Sequence, residues 1–282
     1  MRCWITGGKG LVGSSLAGLW PGVATGHEVD IANEAQVRAF VQEQGPFTHV
    51  VNCAGFAEVD PAETRREEAF LSNAVGPEVL GRVAAEFGMR LLHLSTDYVF
   101  DGTVRRPLKE TDPVGPVNYY GRTKLEGEQR LQAVFPEACV LRVSWLFGSS
   151  GKNFVAKLID LLRTQDELKL VKDQIGRPTF VPDLVKVIGK MLNQSGLYQF
   201  ANRGETSKYE FAVAMKEAME KLGWPVRCQR IVPCLSAEFP SPVRRPLYSA
   251  FDTSKIERLL HVHPRPWNEC LEEYLQIHAK AK

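Results

Sequence analysis

Thr6-Gly7-Gly8-Lys9-Gly10-Leu11-Val12-Gly13 decides how the rest of this 282-residue chain is read. It follows directly on a short apolar run and opens a stretch of helical period, the context in which a glycine cluster becomes a phosphate-binding turn. Gly7 permits the tight turn, Gly10 lets the backbone approach a pyrophosphate, and Gly13 allows helix and strand to pack closely. The N–H groups at the helix start, around Leu11 and Val12, would face the anion. A dinucleotide is the expected ligand.

Outward from this turn, short apolar runs at 2–6, 23–25, 49–53, 91–95 and 140–144 alternate with helical patterns at 11–19, 34–44, 61–87 and 118–134. Runs such as Val50-Val51 and Leu91-Leu92 suit strands buried on both faces. The pattern predicts an α/β fold, a Rossmann-type doubly wound parallel sheet. Residues 1–145 are expected to form the dinucleotide-binding domain. After about 145 the alternation loosens, with helices at 153–164 and 182–193 and strands at 168–171 and 197–201. A smaller, partly intercalated C-terminal α/β region over 146–282 is expected to bind substrate, with roughly 173–193 returning to the first domain. Residues 240–246, rich in Pro and Arg, read as a loop or domain junction.

Composition excludes several classes. Thirty-five Lys+Arg against 33 Asp+Glu leave a charge of +2, no field for nucleic acid or an anionic membrane. No apolar run approaches the roughly 18 residues of a spanning helix, and Met1 leads at once into a strand-like run, so a cytoplasmic protein is expected. The six cysteines form no CxxC pair and no metal spacing, and read as free thiols in a reducing compartment. No metal site is assigned.

Cofactor preference is read after the second strand. Val23-Ala24-Thr25-Gly26-His27 carries no carboxylate before Glu28, where an NAD-binding chain usually places one for the ribose 2′-hydroxyl, and this favours NADPH over NADH. His27 is either a neighbour of a 2′-phosphate or a surface histidine. Asp30-Ile31 suits the adenine edge, although Asp30 could equally cap the next helix. Asn52-Cys53-Ala54-Gly55, at the end of the third strand, offers small residues beside a cofactor.

Tyr120-Gly121-Arg122-Thr123-Lys124 places a phenol and an ammonium four apart, on one helix face. A nearby cation lowers a tyrosine's pKa and would make Tyr120 a proton donor to a developing alkoxide. Ser95-Thr96-Asp97-Tyr98 ends the fourth strand, at the carboxyl edge where ligands of such sheets bind. Tyr120, Lys124 and Thr96 are therefore the expected catalytic residues of a nicotinamide-dependent reductase.

Longer stretches carry a family resemblance. Leu94 to Gly102, Asn118 to Glu128, Val59 to Glu63, Arg142 to Trp145, Asp173 to Thr179 and Arg245 to Ser249 resemble segments of the dTDP-4-dehydrorhamnose reductases, extended short-chain dehydrogenases, over nearly the whole chain. The resemblance implies reduction of a nucleotide sugar at C4, from dTDP-4-dehydro-L-rhamnose to dTDP-L-rhamnose. Tyr120 would protonate the oxygen at C4, Lys124 would hold the nicotinamide ribose, Thr96 would hydrogen-bond the carbonyl, and Asp97 and Tyr98 would lie at the sugar. Trp145 matches a substrate position, and Arg245 could meet a diphosphate bidentately, with Arg244 a solvated neighbour. The chain departs from the family at Pro61, usually Lys, and at Tyr248, usually Asn. Some members of the family use a magnesium ion at a dimer contact; its carboxylates find no match here, so the metal stays unassigned, while a homodimer is a possible assembly.

Two other functions compete. A dehydratase would be expected to have Glu after Thr-Asp, where this chain has Tyr98, and an epimerase shares the same fold. A non-catalytic regulatory subunit would keep the fold and the dinucleotide. The intact Thr96, Tyr120 and Lys124 favour an enzyme.

Overall fold

Six of the apolar runs align as one parallel sheet in the computed structural model, which describes residues 1–150, 153–239 and 241–279. In chain order the elements are β1 (Cys3–Thr6), α1 (Leu11–Leu16), β2 (Gly22–Ala24), α2 (Glu34–Gln44), β3 (His49–Asn52), α3 (Arg66–Phe70), α4 (Gly76–Glu86), β4 (Arg90–Thr96), α5 (Tyr119–Val134) and β5 (Cys139–Val143). They continue with β6 (Leu146–Phe147), α6 (Phe154–Thr164), β7 (Glu167–Val171), β8 (Ile175–Gly176), β9 (Thr179–Phe180), α7 (Val181–Met191), β10 (Gly196–Phe200), β11 (Thr206–Ser207), α8 (Lys208–Lys221), β12 (Arg230–Cys234), α9 (Ser254–Leu260) and α10 (Trp267–Ala279).

The sheet runs β2-β1-β3-β4-β5-β10, every pair parallel. Strand order reverses between β1 and β3, which opens the crevice where such sheets bind ligands. One face packs Leu16, Val181, Leu184 and Ile188 from α1 and α7 against Ile5, Val51, Leu92 and Leu141. The other packs Val37, Val79, Leu80, Val83 and Leu131 from α2, α4 and α5 against Trp4, Val50, Leu91 and Val140. Burying each large apolar side chain contributes about 1.5–3 kcal/mol, so both helical layers are held to the sheet. A separate cluster, including Leu158, Leu162, Phe211, Met215, Leu271 and Leu275, joins α6, α8 and α10.

The predicted strands appear within a residue or two of their expected places. The helices are less regular. The first stops at Leu16, and the single helix expected over 61–87 is a 3₁₀ turn at Pro61–Glu63, α3, a π-helical turn at Leu71–Val75 and then α4. The π turn directs Asn73 inward, where its amide bonds both backbone groups of Phe56 and the Thr123 hydroxyl, at 2.8–3.1 Å. A regular helix cannot be read apart from such a bulge by period alone. Within the expected junction at 240–246, residues 241–246 form neither helix nor strand, and Pro240 lies outside the described residues.

Candidate active site

The phosphate turn is built from both ends. Trp4, on β1 and buried against Phe40 of α2, donates from its indole to Thr25 at 2.9 Å, and the Thr25 carbonyl accepts from Gly8 at 2.7 Å. Gly7 has φ +65°, and a Cβ there would sit 2.7 Å from the backbone of Cys53 and Ala54. A Cβ on Gly13 would approach the Gly7 carbonyl to 2.2 Å. Gly10 precedes α1 with no side chain over its N-terminus, so Leu11 and Val12 open the helix toward the crevice. These glycines leave a cradle that any side chain would fill, which fits a pyrophosphate.

The adenosine end is less committed. Asn33, not Asp30, caps α2, while Asp30 accepts from Ala32 at 2.9 Å and Ile31 is buried. Glu28 turns back onto the Gly26 N–H, and this bond, with Lys9 nearby, holds its carboxyl below the ordinary range. His27 is exposed. Ala54 bonds Thr6 and Asn52, and Gly55 lies against Asn73 and near the Lys124 ammonium, so the 53–55 turn joins the glycine loop to the helix bearing Tyr120.

α5 starts at Asn118, whose side chain accepts from Gly121 and donates to the Arg244 carbonyl. Gly121 lies so close to the 3₁₀ turn Asp97–Val99 that follows β4 that a Cβ would meet the Tyr98 carbonyl at 2.2 Å. This approach sets Tyr120 edge-on to Tyr98, ring centroids 5.7 Å apart. Burial pushes the Tyr120 phenol up to about 12, against a downward pull from hydrogen bonding with Thr96. The expected depression by Lys124 is therefore overturned: desolvation wins, and the neutral phenol is the form present near pH 7. Lys124 donates to the Leu94 carbonyl at 2.7 Å, and burial brings its ammonium down to about 8.

Thr96 donates to Asp97 at 3.2 Å, and Ser249 donates to the other carboxylate oxygen at 2.6 Å. Asp97 is 3% exposed, and burial raises its carboxyl to about 6 despite these two donors. Burial also raises Tyr98. Arg245 bonds Asp60 at 2.7 Å and the Ser241 hydroxyl at 2.6 Å, so two separately predicted stretches meet at one side of the crevice. Arg244 is exposed.

Trp145 adopts φ +44°, a left-handed conformation costing a bulky residue roughly 1–2 kcal/mol. Its ring packs at Gly176 and edge-on to Phe154, and the Lys208 ammonium lies 3.2 Å from the ring centroid. Tyr248 is buried with Val99, Phe100 and Phe251, away from solvent.

Sequence reading missed four participants. Ser249 lay inside a resembling stretch but showed no local sign of its bond to Asp97. Lys208 had one available signal: Ser207 and Glu210 form a capping box, which puts a lysine in the first turn of α8, where the helix dipole disfavours a cation. Glu128 and Arg142, both nearly fully buried, pair bidentately behind Lys124. Among the described residues no group of three or more His, Cys, Asp or Glu could hold a metal ion.

Comparison with known proteins gives the same answer over the whole length. The family model described as RmlD substrate binding domain matches residues 1–279. The chain is 37% identical to a dTDP-4-dehydrorhamnose reductase of Mycolicibacterium smegmatis, covering 96% of this chain and 84% of that one. It superposes with TM-score 0.92 and 35% identity on a dTDP-4-dehydrorhamnose reductase from Clostridium acetobutylicum, covering 99% and 100% of the two chains. With TM-score 0.90 and 32% identity it also matches the Bacillus anthracis enzyme of that name solved in complex with NADP, over 97% and 98%. With the glycine cradle, the Tyr120 helix and this match along the chain in agreement, the protein belongs to the RmlD substrate binding domain family.

Proposed function

We propose that this protein is an NADPH-dependent oxidoreductase that reduces the C4 keto group of a dTDP-sugar, with dTDP-4-dehydro-L-rhamnose as substrate and dTDP-L-rhamnose as product. The observation that carries the reading is the placement of Tyr120, Thr96 and Asp97 together at the carboxyl edge of the sheet, beside a glycine cradle that fits a pyrophosphate. Residues 1–145, with 173–193, bind the dinucleotide, and most of 146–282 receives the sugar nucleotide.

Gly7, Gly10, Leu11, Val12 and Gly13 hold the cofactor pyrophosphate. Asp30 and Ile31 lie at the adenine, and Cys53, Ala54 and Gly55 pass beside the rest of the dinucleotide. The reduced nicotinamide supplies the hydride when bound. Tyr120, neutral near pH 7, gives its proton to the oxygen at C4 as negative charge develops there. Thr96 orients that oxygen, and Lys124 holds the nicotinamide ribose. Asp97, Tyr98, Trp145 and Arg245 surround the sugar nucleotide. A reductase drawing on NADPH and nucleotide sugars works in the cytoplasm, and none of the described helices is long and apolar enough to cross a membrane.

The test is NADPH consumption with purified protein and dTDP-4-dehydro-L-rhamnose, crossed with NADH and with other nucleotide 4-keto sugars. Stoichiometric oxidation with the rhamnose precursor, faster with NADPH, is expected. No consumption with any keto sugar would end the enzymatic reading, and a preference for another sugar would replace the substrate.

A further inference from the structure

Lys208 is a cation in the crevice that neither the YxxxK chemistry nor the glycine turn uses. It is half-buried at the first position of α8, its ammonium 3.2 Å from the Trp145 ring centroid and 4.1 Å from that of Phe154. The capping box on Ser207 fixes this helix start, so the lysine cannot slide away by fraying. β11, which leads into α8, pairs with β8, whose Gly176 lies against the same indole. Trp145 and Lys208 are thus seated by one short sheet.

Such a placement is costly. Burial pulls the ammonium down to about 7, Arg245 across the crevice lowers it further, and only the charge of Asp97 pulls the other way. Among the described residues Lys208 forms no ion pair within 4.0 Å. The helix dipole adds to the penalty. Asp97, for its part, is already bonded by Ser249 and Thr96. Among the described residues, Lys208 on its aromatic shelf is thus left without a carboxylate within 4.0 Å, while Arg245 is already paired with Asp60 at 2.7 Å. An anion carrying charge on two linked groups would relieve the lysine by a point-charge contact and add to the bonds that Arg245 already makes to Asp60, Ser241 and the Val243 carbonyl.

We infer that Lys208, with Arg245 opposite, clamps the diphosphate of the nucleotide-sugar substrate. Its role is positioning and specificity: it selects a nucleoside diphosphate sugar over the free sugar or a sugar monophosphate and leaves the chemical step to Tyr120. The cation also covers one side of Trp145, so the indole supports the lysine rather than stacking on the sugar. This inference rests on the nucleotide-sugar reading above.

The experiment is calorimetric titration of NADP-loaded protein with dTDP, UDP, dTMP and thymidine, in wild type, Lys208→Met and Lys208→Arg, beside steady-state kinetics on the keto sugar. Methionine keeps an apolar stem against Trp145, so the fold is retained, and thermal melting checks this. In Lys208→Met, dTDP affinity should fall about 10–100-fold, thymidine affinity should stay, and KM should rise with kcat changed less than about threefold, in line with the loss of uniform binding. Lys208→Arg should recover most of the loss. Unchanged dTDP affinity in Lys208→Met, or a loss confined to kcat, overturns the clamp while the reductase reading stands. A wild type that binds UDP but not dTDP, with the UDP affinity lost in Lys208→Met, keeps the clamp and removes the dTDP assignment. Wild type that binds no nucleoside diphosphate overturns both.

Discussion

Ser249 donates a 2.6 Å hydrogen bond to Asp97 across 152 residues of chain, tying the C-terminal loop to the end of the catalytic strand. The carboxyl it holds is buried and raised to about 6, from an ordinary 3.8. Folding therefore binds this proton more tightly than the unfolded chain does. The stability it contributes is complete below about pH 4 and is lost as pH rises through 6.

Asp97→Asn should accordingly melt higher than wild type at pH 8, by the equivalent of at most about 3 kcal/mol, with the advantage gone below pH 4. Melting curves across pH 4–8 check this. An offset independent of pH would mean that the carboxyl is not the cause.

Tyr120→Phe removes the proposed proton donor and keeps the ring against Tyr98. Steady-state assays should show kcat lowered about 10²–10⁴-fold, with NADPH affinity by fluorescence titration little changed. Retention of full turnover would remove Tyr120 from the chemistry.

Gly13→Ala would bring a methyl within 2.2 Å of the Gly7 carbonyl and force the phosphate turn open. NADPH affinity should drop at least about tenfold, since the close packing of α1 on the turn that Gly13 permits is what shapes the cradle for the pyrophosphate. Gly88→Ala is the control: φ is +64° there with nothing within 4 Å, so it should cost about 1 kcal/mol of stability and leave cofactor binding alone.

Glu128 and Arg142 pair at 2.7 Å with side chains 5% and 3% exposed. Arg142→Met strands a buried carboxylate and should cost about 3–5 kcal/mol in denaturant unfolding. Glu128→Leu combined with Arg142→Met should recover much of that. A double variant as unstable as the sum of the singles would show that the two charges do not act as a pair.

Much of the site is local in sequence and was legible there. Tyr120 and Lys124 share a face because four residues are about one helical turn. The glycine turn is recognisable because its strand, turn and helix are contiguous. Strand positions followed from apolar runs that parallel, doubly covered sheets require. Asn73 was not legible, because the π turn that aims it inward is a register change inside a helical pattern.

The pairs that tune the site were not legible for a simple reason: their partners are far apart in the chain. Arg245 meets Asp60 across 185 residues, and Lys208 reaches Trp145 only because β11 pairs with β8. The Tyr120 pKa shows the same division. Spacing brings a cation near the phenol and suggests a depressed value, whereas the tertiary structure removes water and raises it to about 12. The amino-acid sequence by itself determined the sheet, the glycine turn and the Tyr120–Lys124 pairing on one helix face, since each depends on short-range periodicity or spacing. Only the tertiary structure decided which buried charges face one another and how far solvent is excluded, because desolvation and long-range pairing exist only once distant segments pack.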